Sequence, residues 1–421
     1  MDKINEMFLQ ALKASLCNEK VDWDFEIQPQ EWTELFQQAE THRILPMIYD
    51  AVYHCQAAKK VGDSFLEPFK RRALQQIKIQ TMKTGAFLQL YQYLGEKGIK
   101  PLMVKGIICR ELYPNPDYRS SGDEDMLIQP EMYEICHKEL LEYGMVVVDL
   151  GQDIQKSYEV PYGKQGSPIY IELHKYLFPP ESEAYGEFNQ FFGDVHEQAI
   201  EILVQEVSIS TMDYTSHFFY LICHAFKHFL HSGFGIRQVC DIVLFANEYG
   251  KEIDWIKILE QCRTIHAEKF TTALLQIGEK YLTFSPDKAC FPPEWRNISV
   301  DETVLLEDLL SGGIYGSSNM SRKHSSNITL SAVQSEKKGD KFRYGVLRTG
   351  FPPIKYMETR FPYLKKFPFL LPVAWISRIV KYGKETGQGG ENNAADSIKI
   401  GNRRIELMKQ YGIIDNKKEF K

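Results

Sequence analysis

The spacing of apolar residues along the chain changes near residue 98. Before this point apolar side chains recur every three or four residues, and residues 65–97 form one long amphipathic helical pattern. Gly98 follows directly, at a position where glycine commonly ends a helix. Beyond it, residues 99–104 (IKPLMV) form a short apolar run that is typical of a buried strand. The pattern predicts N-terminal helices followed by a region that contains strands.

Helices and strands then alternate. A helix is predicted at 131–143, a strand at 145–150, and a hairpin from 155–163 and 167–178 around a glycine-containing turn. Strong helical periodicity returns over 214–283. We therefore expect an α+β fold, in which a small mixed-sheet core is flanked by N-terminal helices and by a C-terminal helical domain.

The same patterns divide the chain into five segments. Residues 284–350 show no regular period, and residues 383–401 resemble a loose linker before a short helix near 402–411. The predicted segments are an N-terminal helical segment (1–85), the sheet core (86–205), a helical domain (206–285), an irregular Gly/Ser-rich connector (286–350) and an aromatic-rich C-terminal tail (351–421).

Composition narrows the class of protein. The 421 residues carry a net charge of −6, so no overall positive field favours nucleic acid, and DNA is not expected as a partner. Eight cysteines without a Cys-x-x-Cys pair fit reduced thiols better than a disulfide framework. The Met1 end lacks the apolar core of a secretory signal, and the apolar stretch 367–380 is too short to cross a bilayer. We expect a cytoplasmic protein with no transmembrane segment.

The stretch GDEDMLI (122–128) places two aspartates directly before an apolar run. Because side chains alternate along a strand, Asp123 and Asp125 share one face and Glu124 takes the other. Two such carboxylates repel each other unless a cation lies between them, and Mg²⁺ prefers a few carboxylates together with substrate phosphates. Glu172, in the middle of the predicted hairpin strand, is the candidate third carboxylate. We predict Asp123, Asp125 and Glu172 as catalytic, metal-binding residues, with Mg²⁺ as the ion and Mn²⁺ as the alternative.

The loop between these strands adds cations. Lys105-Gly106 ends the first strand, and Arg119 precedes Asp123 by four residues. Glycine lets the backbone approach a ligand closely, and Lys or Arg neutralises phosphate oxygens. We predict that Lys105, Gly106, Arg119, Ser120 and Ser121 bind a nucleotide. An Asp-x-Asp pair alone is more often a solvated turn, but the joint arrangement favours a metal and phosphate site.

The segment VKGIICRELYPNPDYRSSGDEDMLI resembles the signature of the polymerase-beta-like nucleotidyltransferase superfamily, and more closely that of a family of uncharacterised bacterial nucleotidyltransferases. The stretch CHAFKHFLHSGFGIRQVCDIVLFA is similar to the family's helical half. Two departures are Ile107, where a small or hydroxyl residue is usual, and Glu172, where Asp is common. The residues that match the family's core motif are Lys105, Gly106, Tyr113, Pro114, Arg119, Asp123, Asp125, Glu172 and His174.

The resemblance implies a Mg²⁺-dependent enzyme that moves a nucleoside monophosphate from a nucleoside triphosphate, with ATP as the expected donor, to an acceptor hydroxyl. Pyrophosphate would be released. The acceptor stays open: a small molecule, a peptide or an RNA. Two other functions also stay open, a catalytically silent nucleotide- or metabolite-binding protein, which Ile107 favours, and a nucleotidyltransferase toxin acting on transfer RNA, against which the acidic net charge argues.

Four histidines, His217, His224, His228 and His231, fall within one stripe of a predicted helix. They are compatible with a zinc site, with structural histidines in the core, or with a polar wall that faces a substrate. The resemblance favours His224 and His228 as wall residues. The predicted substrate wall consists of His174, His224, His228, Arg237 and Asp241.

Three smaller patterns carry open alternatives. Arg237 and Asp241 have the spacing of a surface ion pair on a helix, or Arg237 holds phosphate. The stretch SGGIYG (311–316), followed by Arg322, is a flexible connector or a glycine-rich phosphate loop. The aromatic, basic tail either packs its rings on the body, which we favour, or contacts a membrane surface or a partner.

Overall fold

The computed structural model describes residues 1–148, 154–313, 320–337, 354–357, 361–378 and 394–414. The chain divides into two compact units. The first unit contains Met1–His224 and Ile236–Glu302, and the second contains Ala225–Gly235 and Thr303–Lys421. None of the helices among the described residues is long and apolar enough to cross a bilayer.

Five helices open the first unit. Their buried faces carry large apolar side chains, such as Trp32 and Phe36, which are fully shielded from solvent. The fifth is the long helix that the periodicity predicts, and Gly98 follows it with a φ of +74°, a conformation that costs glycine little. The helices are α1 (Lys3–Leu16), α2 (Pro29–Thr41), α3 (Leu45–Val52), α4 (Gln56–Val61) and α5 (Asp63–Glu96).

A mixed seven-stranded sheet follows, so the predicted fold class is confirmed. Its strand order is β3-β4-β5-β2-β1-β7-β6. Next to β1, strand β2 runs antiparallel and β7 parallel, and β5 runs parallel to β2. The strands are β1 (Leu102–Val104), β2 (Glu124–Leu127), β3 (Val146–Val147), β4 (Glu159–Gly163), β5 (Tyr170–His174), β6 (Ile200–Val204) and β7 (Val207–Thr211). The helices α6 (Gly106–Arg110) and α7 (Tyr133–Glu142) lie between β1, β2 and β3 in sequence.

The hairpin of β6 and β7 is not anticipated by the sequence patterns. Its two-residue turn is Gln205-Glu206, with φ values of 44° and 71°. Both residues therefore adopt the left-handed conformation of a tight hairpin turn, for which Asn-Gly or Asp-Gly is the usual signature. Since the turn carries neither glycine nor asparagine, the usual signal is missing.

Helices return after the sheet, as predicted for 214–283. They are α8 (Tyr214–His231), α9 (Ile236–Tyr249), α10 (Trp255–Thr264), α11 (Glu268–Tyr281) and the short α12 (Pro293–Arg296). Residues of α8 up to His224 belong to the first unit and the rest to the second.

The second unit is more helical than the sequence suggests. The irregular connector predicted for 286–350 contains α13 (Thr303–Gly312) and α14 (Met320–Lys337), and the helix Ala394–Gln410 occupies part of the predicted linker. The sequence of α14 is rich in Ser, Thr and Asn, which favour helices only weakly. It is stabilised by packing against the helix Ala394–Gln410, where Gly401 lets the backbone approach Ile328.

Arg322 is a buried structural residue of this unit. Its guanidinium donates to the carbonyl of Ser232 at 2.9 Å and to Asp308 at 2.6 Å. The carbonyl directly after the end of α8 is thus satisfied by a charged donor, as buried helix ends require. Arg322 is therefore not part of an open phosphate loop, and residues 314–319 of the glycine-rich stretch lie outside the described residues.

Candidate active site

The register of two parallel strands brings the predicted carboxylates together. Asp125 on β2 pairs with Glu172 on β5, and His174 follows two residues later on the same face as Glu172. One ligand atom from each of these three side chains lies within 4.8 Å of the other two. His174 Nε2 lies 3.1 Å from Asp125 Oδ1 and 3.7 Å from Glu172 Oε2. In the part of the chain that the structure describes, no second cluster of metal-ligating side chains occurs.

Asp123 lies just before β2 and outside this three-residue cluster. Burial raises the pKa of its carboxyl, and the negative charge of Asp125 raises it further. The structure therefore places Asp123 near Asp125 electrostatically, but its oxygens are not among the converging ligand atoms.

Negative charge is unevenly compensated in the cluster. Burial opposes ionisation of Asp125, but Lys105 and His174 outweigh it and hold the pKa of Asp125 below its usual range. Glu172 has weaker support: burial and the charges of Asp125, Asp123 and Glu159 raise its pKa to about 7, and the charge of His174 offsets them only in part. Crowded negative charge in a partly buried cluster is typical of a site that binds a cation.

The pKa of His174 is raised although burial acts to lower it. Its hydrogen bond to Asp125 and the charges of Asp125, Glu159 and Glu172 favour the imidazolium. His174 is itself buried, and its Nδ1 lies 3.5 Å from Glu159 Oε2. It therefore orients Asp125 and Glu172 through charge and hydrogen bonding.

Lys105 supplies the cation on the other side of Asp125. Its Nζ lies 2.9 Å from Asp125 Oδ2 and 3.0 Å from His224 Nε2, and its side chain is 13% exposed. The backbone of Lys105 has a φ of +61°, which is unfavourable for a residue with a side chain. Such strain costs on the order of 1–3 kcal/mol and persists only where the surroundings impose it.

His217 is one of the residues that hold Lys105 in this strained backbone conformation. The backbone N–H of Lys105 donates to His217 Nε2 at 3.1 Å. On the other side of the ring, Thr211 Oγ1 lies 3.1 Å from Nδ1 and donates its own proton to the carbonyl of Met103. The imidazole proton therefore sits on Nδ1, and burial lowers the pKa of His217 to about 3, so the ring is neutral. His217 is a structural support for Lys105, which the histidine spacing alone did not reveal.

The region that holds these residues matches a known protein family. A family model described as "Uncharacterised nucleotidyltransferase" matches residues 28–283, more than half of the chain. The chain belongs to this family. A comparison with curated proteins and with solved structures finds no match. The matched region contains the converging carboxylates, and the prediction of a nucleotidyltransferase is confirmed.

Gly106 of this nucleotidyltransferase serves a contact inside the protein. A Cβ at this position would lie 2.1 Å from Glu124 Oε2, and the φ of Gly106 is +33°. Glu124 Oε2 accepts a hydrogen bond from the backbone of Ile107 at 2.7 Å. Oε1 accepts from the buried guanidinium of Arg110 and from Ser121 Oγ at 3.1 Å. Gly106 and Ser121, predicted to bind nucleotide, thus also build a network behind the site.

Arg119 forms a bidentate ion pair with Asp241. The guanidinium donates to both carboxylate oxygens at 2.7 Å, and Tyr113 OH donates to Asp241 Oδ1 at 2.8 Å. Asp241 and Arg237 are both buried, so the expected surface ion pair between them is wrong. Arg237 instead donates to the carbonyl of Ser120. The reason is tertiary: α9 packs against α6, which brings Asp241 to the arginine of the loop.

The other predicted wall and loop residues are placed as follows. His224 reaches the site through Lys105, whereas His228 belongs to the second unit and its role stays a prediction. The α8 histidines form no metal-ligand cluster among the described residues, which gives the zinc interpretation no support. Ser120 Oγ is buried and forms no hydrogen bond with any described residue.

Glu124 and Arg110 are the main site-adjacent residues that sequence reasoning missed. The strand alternation places Glu124 opposite the aspartates, but its partner could not be inferred. Arg110 is fully buried, and a buried arginine normally requires a carboxylate. Arg110 lies four residues after Gly106 in an otherwise apolar helix. An arginine in such a helix indicates a buried carboxylate partner, and this was the signal that could have identified the pair.

The residues fit a divalent cation. Glu172 and Asp123 both have raised pKa values because they are buried and because negative charges crowd them, and a cation would relieve the repulsion. Asp125 and Glu172 supply the hard oxygen ligands that Mg²⁺ prefers. The hydrogen bond from His174 fits the role of a residue that orients a ligating carboxylate.

Proposed function

We propose that the protein transfers a nucleoside monophosphate from a nucleoside triphosphate to an acceptor hydroxyl, with Asp123, Asp125 and Glu172 holding Mg²⁺ or Mn²⁺. The observation that carries the proposal is the register pair Asp125–Glu172 with Lys105 against it. A bound metal ion would neutralise phosphate charge and polarise the reacting phosphoryl group. ATP is the donor that we expect, and a small molecule, a peptide or an RNA is the acceptor class.

The roles of the residues follow from their charges. Glu172, with a pKa near 7 before any cation binds, is the group placed to take the proton of the acceptor hydroxyl. The acceptor oxygen then forms a bond to the α-phosphorus while the bond to pyrophosphate breaks. Lys105 holds the phosphates and stabilises the charge on the leaving pyrophosphate.

Arg119 and Ser120 have supporting roles in the proposed reaction. Arg119 fixes the loop to α9 through Asp241, and this contact supports a positioning role for Arg119 rather than direct phosphate binding. The buried hydroxyl of Ser120, which forms no hydrogen bond with a described residue, is a donor that a phosphate oxygen can use.

The proposal is tested by ligand-dependent unfolding. We would measure the thermal midpoint with each ribonucleoside triphosphate, with and without Mg²⁺ or Mn²⁺, for wild type, Asp125→Asn and the exposed control Asp24→Asn. A ligand at 100 times its Kd adds about 2.7 kcal/mol to the free energy of unfolding. We expect a metal-dependent rise with one triphosphate in wild type and the control, and none in Asp125→Asn.

Pyrophosphate release with candidate acceptors of the three classes follows. No stabilisation by any triphosphate with either metal would refute the proposal. Metal-dependent binding without pyrophosphate release from any acceptor class would support the silent binding protein instead. Release that requires transfer RNA, together with growth arrest on expression, would support the toxin.

A further inference from the structure

A short segment of the second unit exposes large apolar side chains. Within residues 361–378 the exposed fractions are 75% for Phe369, 62% for Ile376, 54% for Val373 and 41% for Phe367. Soluble proteins rarely gather exposed apolar side chains in one place, and where they do, the surface usually serves an interaction.

The same segment has a buried side. Leu364 and Ala374 are fully buried and form a small core with Met357, against which Phe361 and Trp375 pack. The apolar residues therefore divide into an inward set and an outward set. Phe361 and Trp375 pack against this core within the tail itself, whereas Phe367 and Phe369 are exposed, so the expectation that the tail buries its aromatic rings is wrong for Phe367 and Phe369. Packing of the tail on the body stays a prediction.

Basic residues flank the exposed apolar set in the sequence. Residues 341–384 contain ten Lys or Arg residues and one acidic residue, in a chain whose net charge is −6. Lys365 and Lys366, directly before Phe367, are exposed, and residues 361–378 contain no Asp or Glu. The surface that complements this segment is anionic, and anionic lipid headgroups attract nearby Lys and Arg residues.

The aliphatic members of the exposed set identify the partner. Single-stranded nucleic acid would use basic residues and aromatic rings, on which its bases stack, but gains nothing from Val373 and Ile376. A bilayer takes up aliphatic and aromatic side chains at the acyl boundary while its headgroups attract lysines. We propose that segment 361–378 docks peripherally on bilayers that contain anionic phospholipid.

The docking surface is peripheral rather than membrane-spanning. The segment is short and is interrupted by Pro362, Pro368 and Pro372. Binding through this surface would hold the enzyme at a membrane, and it is independent of the chemistry proposed for the first unit.

The test is co-sedimentation of the full chain with vesicles. Vesicles of phosphatidylcholine alone are compared with vesicles of equal parts phosphatidylcholine and phosphatidylglycerol, at low and high salt. We expect binding to the anionic vesicles only, weakened by salt. The double variants Phe369→Ser/Ile376→Ser and Lys365→Glu/Lys366→Glu should each bind at least about tenfold more weakly.

Leu203→Ser is the matched control, because Leu203 is 71% exposed but lies on β6 of the first unit. It should bind the anionic vesicles like wild type. All variants change exposed side chains, and unchanged thermal midpoints verify that they fold. Absence of binding to anionic vesicles, binding undiminished in Phe369→Ser/Ile376→Ser, or an equal loss in Leu203→Ser would overturn the proposal. Binding to single-stranded RNA without binding to vesicles would overturn it as well and assign the surface to nucleic acid.

Discussion

Glu124 and Asp125 are consecutive residues of β2, and both carboxylates are buried against a cation of the chain, yet their surroundings differ in kind. Glu124 faces Arg110, the backbone N–H of Ile107 and Ser121, so both its oxygens have donors that belong to the fold. Among the described residues, that hydrogen-bonded set contains no other carboxylate. The charge of Glu124 is balanced by Arg110.

The Asp125 side is not balanced in this way. Lys105 and His174 satisfy Asp125, but burial and neighbouring negative charges raise the pKa values of both Asp123 and Glu172. Burial and ion pairing are thus shared by the structural carboxylate and the candidate catalytic one. What separates them is the crowding of like charge, which costs stability and persists where a site needs it.

The largest effect, a loss of unfolding free energy, is expected for Glu124→Gln. Loss of this charge leaves the Arg110 guanidinium, whose side chain is 0% exposed, without its carboxylate. Removing one partner of a buried ion pair costs about 3–5 kcal/mol of unfolding free energy. Denaturant unfolding followed by tryptophan fluorescence measures it, since Trp23, Trp32, Trp255 and Trp295 lie in the first unit. Asp125→Asn is the matched control, and an equal loss in both variants would remove the distinction.

Asp125→Asn should instead affect ligand binding. The change removes a central oxygen ligand and leaves Lys105 and His174 without their carboxylate, but it also relieves the repulsion with Asp123 and Glu172, so the loss of unfolding free energy should be smaller than in Glu124→Gln. Metal-supported triphosphate affinity should fall by at least roughly a hundredfold. Mutation of residues that only orient metal ligands already lowers metal affinity or activity about 10–100-fold. Titration calorimetry with Mn²⁺ and the triphosphate measures this. Affinity within a factor of two of wild type would contradict the assignment.

The crowding of charge also predicts a pH dependence of stability without metal. Glu172 has a pKa of about 7 in the folded protein against an ordinary 4.5, so the folded state binds this proton more tightly. Its contribution is present below about pH 4.5 and is lost as the pH rises to about 7, by on the order of 3 kcal/mol. Glu172→Gln should abolish this decline, and added Mn²⁺ should flatten it in wild type.

His174 adds a second decline with the same sign at higher pH. Its pKa is raised above 6.5, so its contribution is present below that value and is lost as the pH rises through the raised pKa. The Glu172→Gln variant should keep this upper decline. His217, with its pKa lowered to about 3, makes the unfolding free energy of both proteins rise up to about pH 6.5, so wild type is compared with Glu172→Gln. An unfolding free energy of wild type that does not fall relative to that of Glu172→Gln between pH 4.5 and 7 would contradict the charge distribution described for the Asp125 side.

The smallest effect, a change in Mn²⁺ affinity, is expected for Lys105→Gln. Because the ammonium occupies Asp125 Oδ2, its removal should raise the affinity for Mn²⁺ alone by about tenfold, while triphosphate binding weakens. Lys105→Arg keeps the charge and serves as the control. Electron paramagnetic resonance of free Mn²⁺ measures the affinity, and an unchanged or lower affinity in Lys105→Gln would show that Lys105 does not compete with the metal.

Much of the fold and of the site follows from local patterns. The long helix α5, the strands that carry Asp125 and Glu172, and the face shared by Glu172 and His174 all derive from periodicity within a few residues. The β6–β7 hairpin and α14 do not. The first lacks a turn signature at Gln205-Glu206, and the second has weak helix propensity that packing overrides.

Residue types and strand alternation fix which carboxylates face which side, and hence which charges the fold has to compensate. Which cation compensates each carboxylate depends on the tertiary structure. Arg119 meets Asp241 across 122 positions of the chain, and Glu124 rather than Asp123 receives Arg110. Ion pairs depend on distances of a few ångströms, and packing of helices and strands far apart in sequence sets those distances.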